Sequence, residues 1–93
     1  HMITALVLIN VQRGQVNETA QSLLEIDGVA EVYSVTGEYD LVALLRLPRY
    51  DDLADVVTGR MMQLSSITKT HTLMAFQRYS RADLQQAWDI GIE

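Results

Sequence analysis

Gly37 and Asp40 stand three residues apart in the stretch Thr36-Gly37-Glu38-Tyr39-Asp40, between two runs rich in valine, leucine and tyrosine. This pair can do simple recognition chemistry. A glycine takes φ > 0 without steric cost and lets a ligand come close to the backbone. A carboxylate beside it accepts from an ammonium group, and exposed turn amides can form a nest for an anion. The same residues also serve as plain turn chemistry, and the spacing alone leaves both readings open. A second polar group, Thr68, Thr70 and Thr72, alternates along ITKTHTLMAF and so shares one face of a strand. Those hydroxyls either satisfy β propensity on a half-exposed face or meet a small polar ligand.

Catalytic chemistry finds little support. His71 sits mid-strand between Thr70 and Thr72, with no serine elbow or cysteine to activate. The other histidine belongs to His1-Met2, which reads as a cloning scar with Met2 as the native start. Asp51-Asp52 looks like helix-start chemistry rather than an acid pair or a metal site. Calcium-loop and phosphate-loop patterns are absent, so neither a catalytic residue, a metal nor a cofactor is expected.

The bulk properties narrow the class. Ninety-three residues make one domain. At this size the apolar surface that one chain can bury is modest, and oligomerisation would help. A net charge of −5 argues against a general nucleic-acid binder, which needs a clustered basic surface. With no cysteine there is neither a disulfide framework nor a thiolate metal site, which fits a cytoplasmic setting. No apolar run reaches the ~20 residues of a membrane span.

The elements that must position the turn follow from periodicity. Ile3–Val11 is a strand by its β-branched content, punctuated by Gly14. Over Gln15–Asp27, Val16, Ala20, Leu23 and Leu24 fall on one helix face, and Gly28 is a natural C′ residue. Val29–Val35 and Leu41–Leu47 form a hairpin around the Gly37 turn. Pro48-Arg49-Tyr50 breaks the second of these, and Asp51 is placed to cap a helix whose buried stripe is Leu53, Val56, Val57, Met61 and Leu64. Gly59 lies inside that helix at a cost of about 1 kcal/mol, a cost that a close packing contact would explain. Ile67–Tyr79 is the last strand, and Ser80-Arg81-Ala82-Asp83 resembles a capping box leading to a short helix through Trp88. Residues 3–79 thus form the domain and 80–93 a short C-terminal helix and tail.

The order strand, helix, strand, strand, helix, strand is the ferredoxin-like βαββαβ arrangement, an α+β fold. Two helices cover one face of its four-stranded antiparallel sheet, and a wet second face should be polar. Yet Leu6 and Leu8 oppose Ala5, Val7 and Ile9, while Val42 and Leu44 oppose Leu41, Ala43 and Leu45. An apolar second face calls for a cover. A symmetric second copy is the simplest, and a C-terminal helix with Trp88 as lid is the alternative.

At this point the residues resemble a known family. VYSVTGEYDLVALLRL, followed by a helix and ITKTHTLMAF, is similar to the effector-binding (RAM) domain of the Lrp/AsnC transcription regulators. Two motifs carry the likeness: Thr36-Gly37-x-Tyr39-Asp40-Leu41, and Lys69-Thr70-x-Thr72. It spans about Ile3 to Arg78. The resemblance implies subunits that dimerise through their sheets and assemble into rings, typically octamers or decamers. It implies an amino acid effector held between subunits near the Gly-x-Tyr-Asp turn. By position it carries over Gly37, Tyr39 and Asp40, with Thr70 and Thr72. Full-length members carry an N-terminal helix-turn-helix, for which no segment stands before the first strand. The expectation is therefore a stand-alone sensing module that does not bind DNA directly and can co-assemble with a full-length regulator. The runner-up is a dimeric α+β barrel enzyme of the cofactor-free monooxygenase or isomerase type, in which His71 would sit in a cavity.

Overall fold

A computed structural model describes residues 2–82 of the chain. The elements are β1 (Ile3–Val11), α1 (Val16–Leu24), β2 (Val29–Ser34), β3 (Leu41–Leu47), α2 (Asp51–Ala54) and β4 (Ile67–Ala75). α2 runs on through a π-helical stretch (Asp55–Arg60) and a 3-10 turn (Met61–Gln63). The sheet has the order β2-β3-β1-β4 with every neighbouring pair antiparallel, so β2 and β4 are its edges. This is the ferredoxin-like α+β fold expected from the sequence.

One core holds it together. Ala5, Val7 and Ile9 of β1 and Leu41, Ala43, Leu45 and Leu47 of β3 are buried with Leu23 of α1 and with Val56 and Met61 of the second helical segment. Both helical segments therefore cover the same sheet face. Directly paired residues share a face, so the pairs Leu6–Leu44 and Leu8–Val42 lie on the other one. Leu6–Leu73 and Leu8–His71 extend that second face onto β4.

Several local expectations are corrected. α1 ends at Leu24, with Glu25 as its cap, so Gly28 is not its C′ residue. Gly28 instead opens β2 at φ +99. Its carbonyl accepts from Arg46 N–H (2.8 Å), and its backbone lies against the Leu47 side chain. Leu24 is exposed, and Thr19 takes the buried position because its hydroxyl meets that of Ser66 at 2.6 Å. Asp51 does not cap α2: Tyr50 is already helical, and no side chain caps this end. Turn bonds from Asp52 and Leu53 N–H to Arg49 and Tyr50 carbonyls, both 3.1 Å, satisfy those donors instead. Gly59 has open space around it, so no packing contact accounts for it. β4 stops at Ala75 rather than Tyr79. Its partner β1 begins at Ile3, and the last β1–β4 pair is Thr4–Ala75. Phe76 and Tyr79 are exposed beyond it. Arg81 and Ala82 are helical, and the rest of the helix expected through Trp88 lies outside the described residues.

Candidate functional site

Residues 35–40 join β2 to β3, and Asp40 governs their shape. The Val35 N–H donates to the Asp40 carbonyl (3.0 Å) and closes the connection. The Asp40 N–H donates to the Ile9 carbonyl (2.9 Å). The Val11 N–H donates to Asp40 Oδ2 (2.9 Å). The tip of the hairpin is thus tied to the end of β1, across the sheet from its own partner strand. A short acceptor side chain after a glycine is what lets the backbone fold back this way.

Gly37 sits at the exposed top of this tied loop. Its φ is +104, and a Cβ there would meet no atom within 4 Å. Backbone strain alone, not crowding, therefore calls for glycine. Tyr39 is half-buried and reaches over the end of the sheet to β4, where Lys69 Nζ lies 5.9 Å from its ring centroid. On β4 a register shift opposite Asn10 and Val11 lets the Thr68 hydroxyl donate to the Asn10 carbonyl (3.2 Å).

Of the residues named from sequence, Gly37, Tyr39 and Asp40 come together at this tip. Thr70 and Thr72 do not join them within one chain. They pair with Ile9 and Val7, so they are half-buried on the helix-covered side of the edge strand. Leu41, Ile9 and Thr70 form one cross-strand row, which puts Thr70 two strand spacings, about 10 Å, from the start of β3. Two grooves among the described residues lie away from the tip. One of about 870 Å³ lies at the opposite end of the sheet, between Thr4, Leu44, Arg46 and Met74 and the segment from Phe76 to Tyr79. A smaller one, about 300 Å³, is walled by Gly28, Leu47, Val56 and Arg60. His71 is exposed on the open face and lines neither of them.

The open face also carries a titrating group with a clear shift. The Tyr33 hydroxyl donates to the Glu31 carboxylate on the same edge strand. That bond, more than desolvation or the nearby negative charge, raises the tyrosine above its ordinary range. Among the described residues no cluster of three or more acidic or histidine side chains could hold a metal, and no helix is long and apolar enough to cross a membrane.

The model of the Lrp/AsnC ligand binding domain matches residues 4–84. The chain belongs to the Lrp/AsnC family. A curated relative, the HTH-type transcriptional regulator FL11 of Pyrococcus furiosus, is 29% identical over 75 residues, covering 81% of this chain and 49% of that protein. LrpA1 of Halobacterium salinarum, also an HTH-type transcriptional regulator, is 33% identical over 67 residues, covering 72% and 47%. The chain thus spans about half the length of these curated relatives. Among solved structures, TTHA0845 from Thermus thermophilus is 48% identical with a TM-score of 0.80, covering 85% of this chain and 99% of that one. Escherichia coli AsnC shares the fold, with a TM-score of 0.78, 22% identity and coverage of 84% and 53%.

Within the Lrp/AsnC likeness, the motif Gly37-x-Tyr39-Asp40 was visible in sequence, but the partners of its side chains were not. Val11 contributes only its backbone N–H, which carries no residue-type signal. Lys69 was visible as part of the second motif, but its placement on the Tyr39 ring depends on two segments about thirty residues apart.

Proposed function

We propose that the chain is an amino-acid-sensing subunit of the Lrp/AsnC type, which pairs with a second copy through its open sheet face and builds rings of such dimers. The ligand is a free amino acid held near the 36–40 tip, between subunits. Its ammonium meets the Asp40 carboxylate, whose Oδ2 fixes the loop on Val11 while the second oxygen keeps its acceptor capacity. Backbone N–H groups around Gly37 meet its carboxylate. Thr70 and Thr72 hydroxyls enter the shell from a neighbouring subunit's edge strand. Such assemblies act on transcription by joining a full-length regulator.

The observation that carries this reading is the tied, unobstructed Gly37 turn in a chain of this family. A ligand the size of an amino acid needs enclosure, and Gly37 stands exposed at the tip with no atom within 4 Å of its Cβ position. A second subunit supplies the enclosure, and the apolar open face supplies the reason for that subunit to be present. A structure with the same fold, NMB0573 from Neisseria meningitidis, was solved as a complex with L-Met (TM-score 0.76, 12% identity).

A thermal-shift screen against the proteinogenic amino acids tests it. A binder at a hundredfold excess over its Kd stabilises by about 2.7 kcal/mol, a rise in Tm on the order of 10 °C for a chain of this size. A flat response to every amino acid would sink the reading.

A further inference from the structure

Lys69 is the one lysine of the sequence; its other cationic side chains, histidine aside, are arginines. It pairs with Asn10 on the open face, at the end of the sheet to which the hairpin tip is tied. It forms no salt bridge among the described residues, and its ammonium lies instead on the Tyr39 ring, 5.9 Å from the centroid. Asp40 Oδ2 accepts from Val11 N–H and the Thr68 hydroxyl donates to the Asn10 carbonyl. A cation against an aromatic face is steadied by the ring quadrupole, yet its N–H groups have no acceptor there.

From this we infer that Lys69 is the counter-charge for the ligand's carboxylate, with Tyr39 as the positioning residue that holds the ammonium at the tip. The inference rests on the ligand site assigned above and sharpens its chemical class. The ligand carries a free carboxylate, and the corresponding amide does not replace it. An ammonium is a compact point charge on a flexible stem, so it can swing from the ring onto an arriving carboxylate without moving the sheet. The exposed position means that a substitution here leaves the core untouched.

The test uses the sole lysine as its own reporter. Reductive methylation with isotopically labelled formaldehyde puts an NMR-visible dimethylammonium on Lys69 and on the chain's amino terminus, and keeps both charges. The probe is an equimolar mixture of the proteinogenic L-amino acids, run beside the mixture of their amides. In the free protein the Lys69 methyl signal carries a ring-current shift that Tyr39→Leu abolishes. The acid mixture moves that signal and raises Tm, and the amide mixture does neither. Lys69→Met, which keeps the stem and loses the charge, weakens binding of the stabilising amino acid at least about tenfold, as expected for a lost charged hydrogen bond. Lys69→Arg restores part of it. A rise in Tm with an unmoved Lys69 signal, or undiminished binding by Lys69→Met, would overturn the role of Lys69 and leave the site standing. No rise in Tm with either mixture would remove the site itself, and Lys69 with it.

Discussion

Val7 and Leu8 are neighbours on β1 and face opposite ways. Val7 is fully buried under the helices, in the same layer as Ala43 of β3. Leu8 pairs with Val42 and His71 on a face that the described residues leave only half covered. The helix-covered face is finished within one chain: its apolar residues meet one another and its buried hydroxyl, on Thr19, has a partner. The open face holds Leu6, Leu8, Val42, Leu44 and Leu73, of which the described residues leave the first four partly exposed and Leu73 exposed. The difference shows where folding ends and assembly begins. The first face fixes the subunit, and the second, with the hairpin tip at its end, is the surface we assign to a larger assembly.

Charge placed on each face separates the two roles. Val7→Asp puts a carboxylate where no water or counter-charge reaches it, at a cost of about 4 kcal/mol or more. On a domain of about 5–15 kcal/mol total stability, circular dichroism should show a largely unfolded chain or a collapsed melting temperature. Leu8→Asp, one residue away, should keep the folded spectrum and lose the oligomer. Sedimentation of the wild type should find no stable monomer at micromolar concentration, while Leu8→Asp sediments as a monomer. If Leu8→Asp associates as the wild type does, the open face is not the interface.

Two glycines sharpen the comparison. Gly28 and Gly37 both have positive φ, but only Gly28 lies against the core, on Leu47. Gly28→Ala should lower stability by about 2–3 kcal/mol, from backbone strain and the displaced leucine. Gly37→Val carries strain alone, about 1–3 kcal/mol, and should abolish ligand binding as well. Denaturant titration of both, with ligand titration of the second, distinguishes a structural glycine from one at a site. Smaller still is Thr19→Val, which leaves the Ser66 hydroxyl without its partner and should cost about 1 kcal/mol in the same titration.

The sequence disclosed most where a residue's role depends on near neighbours. β1 and β3 have the bounds that alternation and β-branching indicate, and both of their faces were legible as apolar. β4 ends four residues before Tyr79, although Phe76 and Tyr79 are strand-favouring types. What ends the strand is the loss of a partner beyond Thr4, a fact of register. Leu24 fits the helical stripe yet is exposed, and Thr19 is buried because Ser66, 47 residues away, answers its hydroxyl. The irregular course of the second helical segment had no signature in its residues. At the tip, Gly37 and Asp40 were visible as a motif. That Asp40 grips Val11 across 29 residues was not, because the donor is a backbone amide. The placing of Thr70 and Thr72 on the helix-covered side depends on pairing with β1, which no local pattern encodes.

Ligand binding at the tip is the central claim, and Asp40 is the residue on which to test it. Asp40→Asn keeps an oxygen for the Val11 N–H, so the fold should hold, but it removes the charge offered to an ammonium. Truncating such a charged hydrogen bond at an interface costs on the order of 2–5 kcal/mol. Isothermal titration of wild type and Asp40→Asn with the amino acid that most raises Tm measures this directly. Asp40→Asn should bind at least about thirtyfold more weakly at unchanged melting temperature. Equal affinity in the two proteins would contradict the claim and leave Asp40 as the tie that holds the loop to β1.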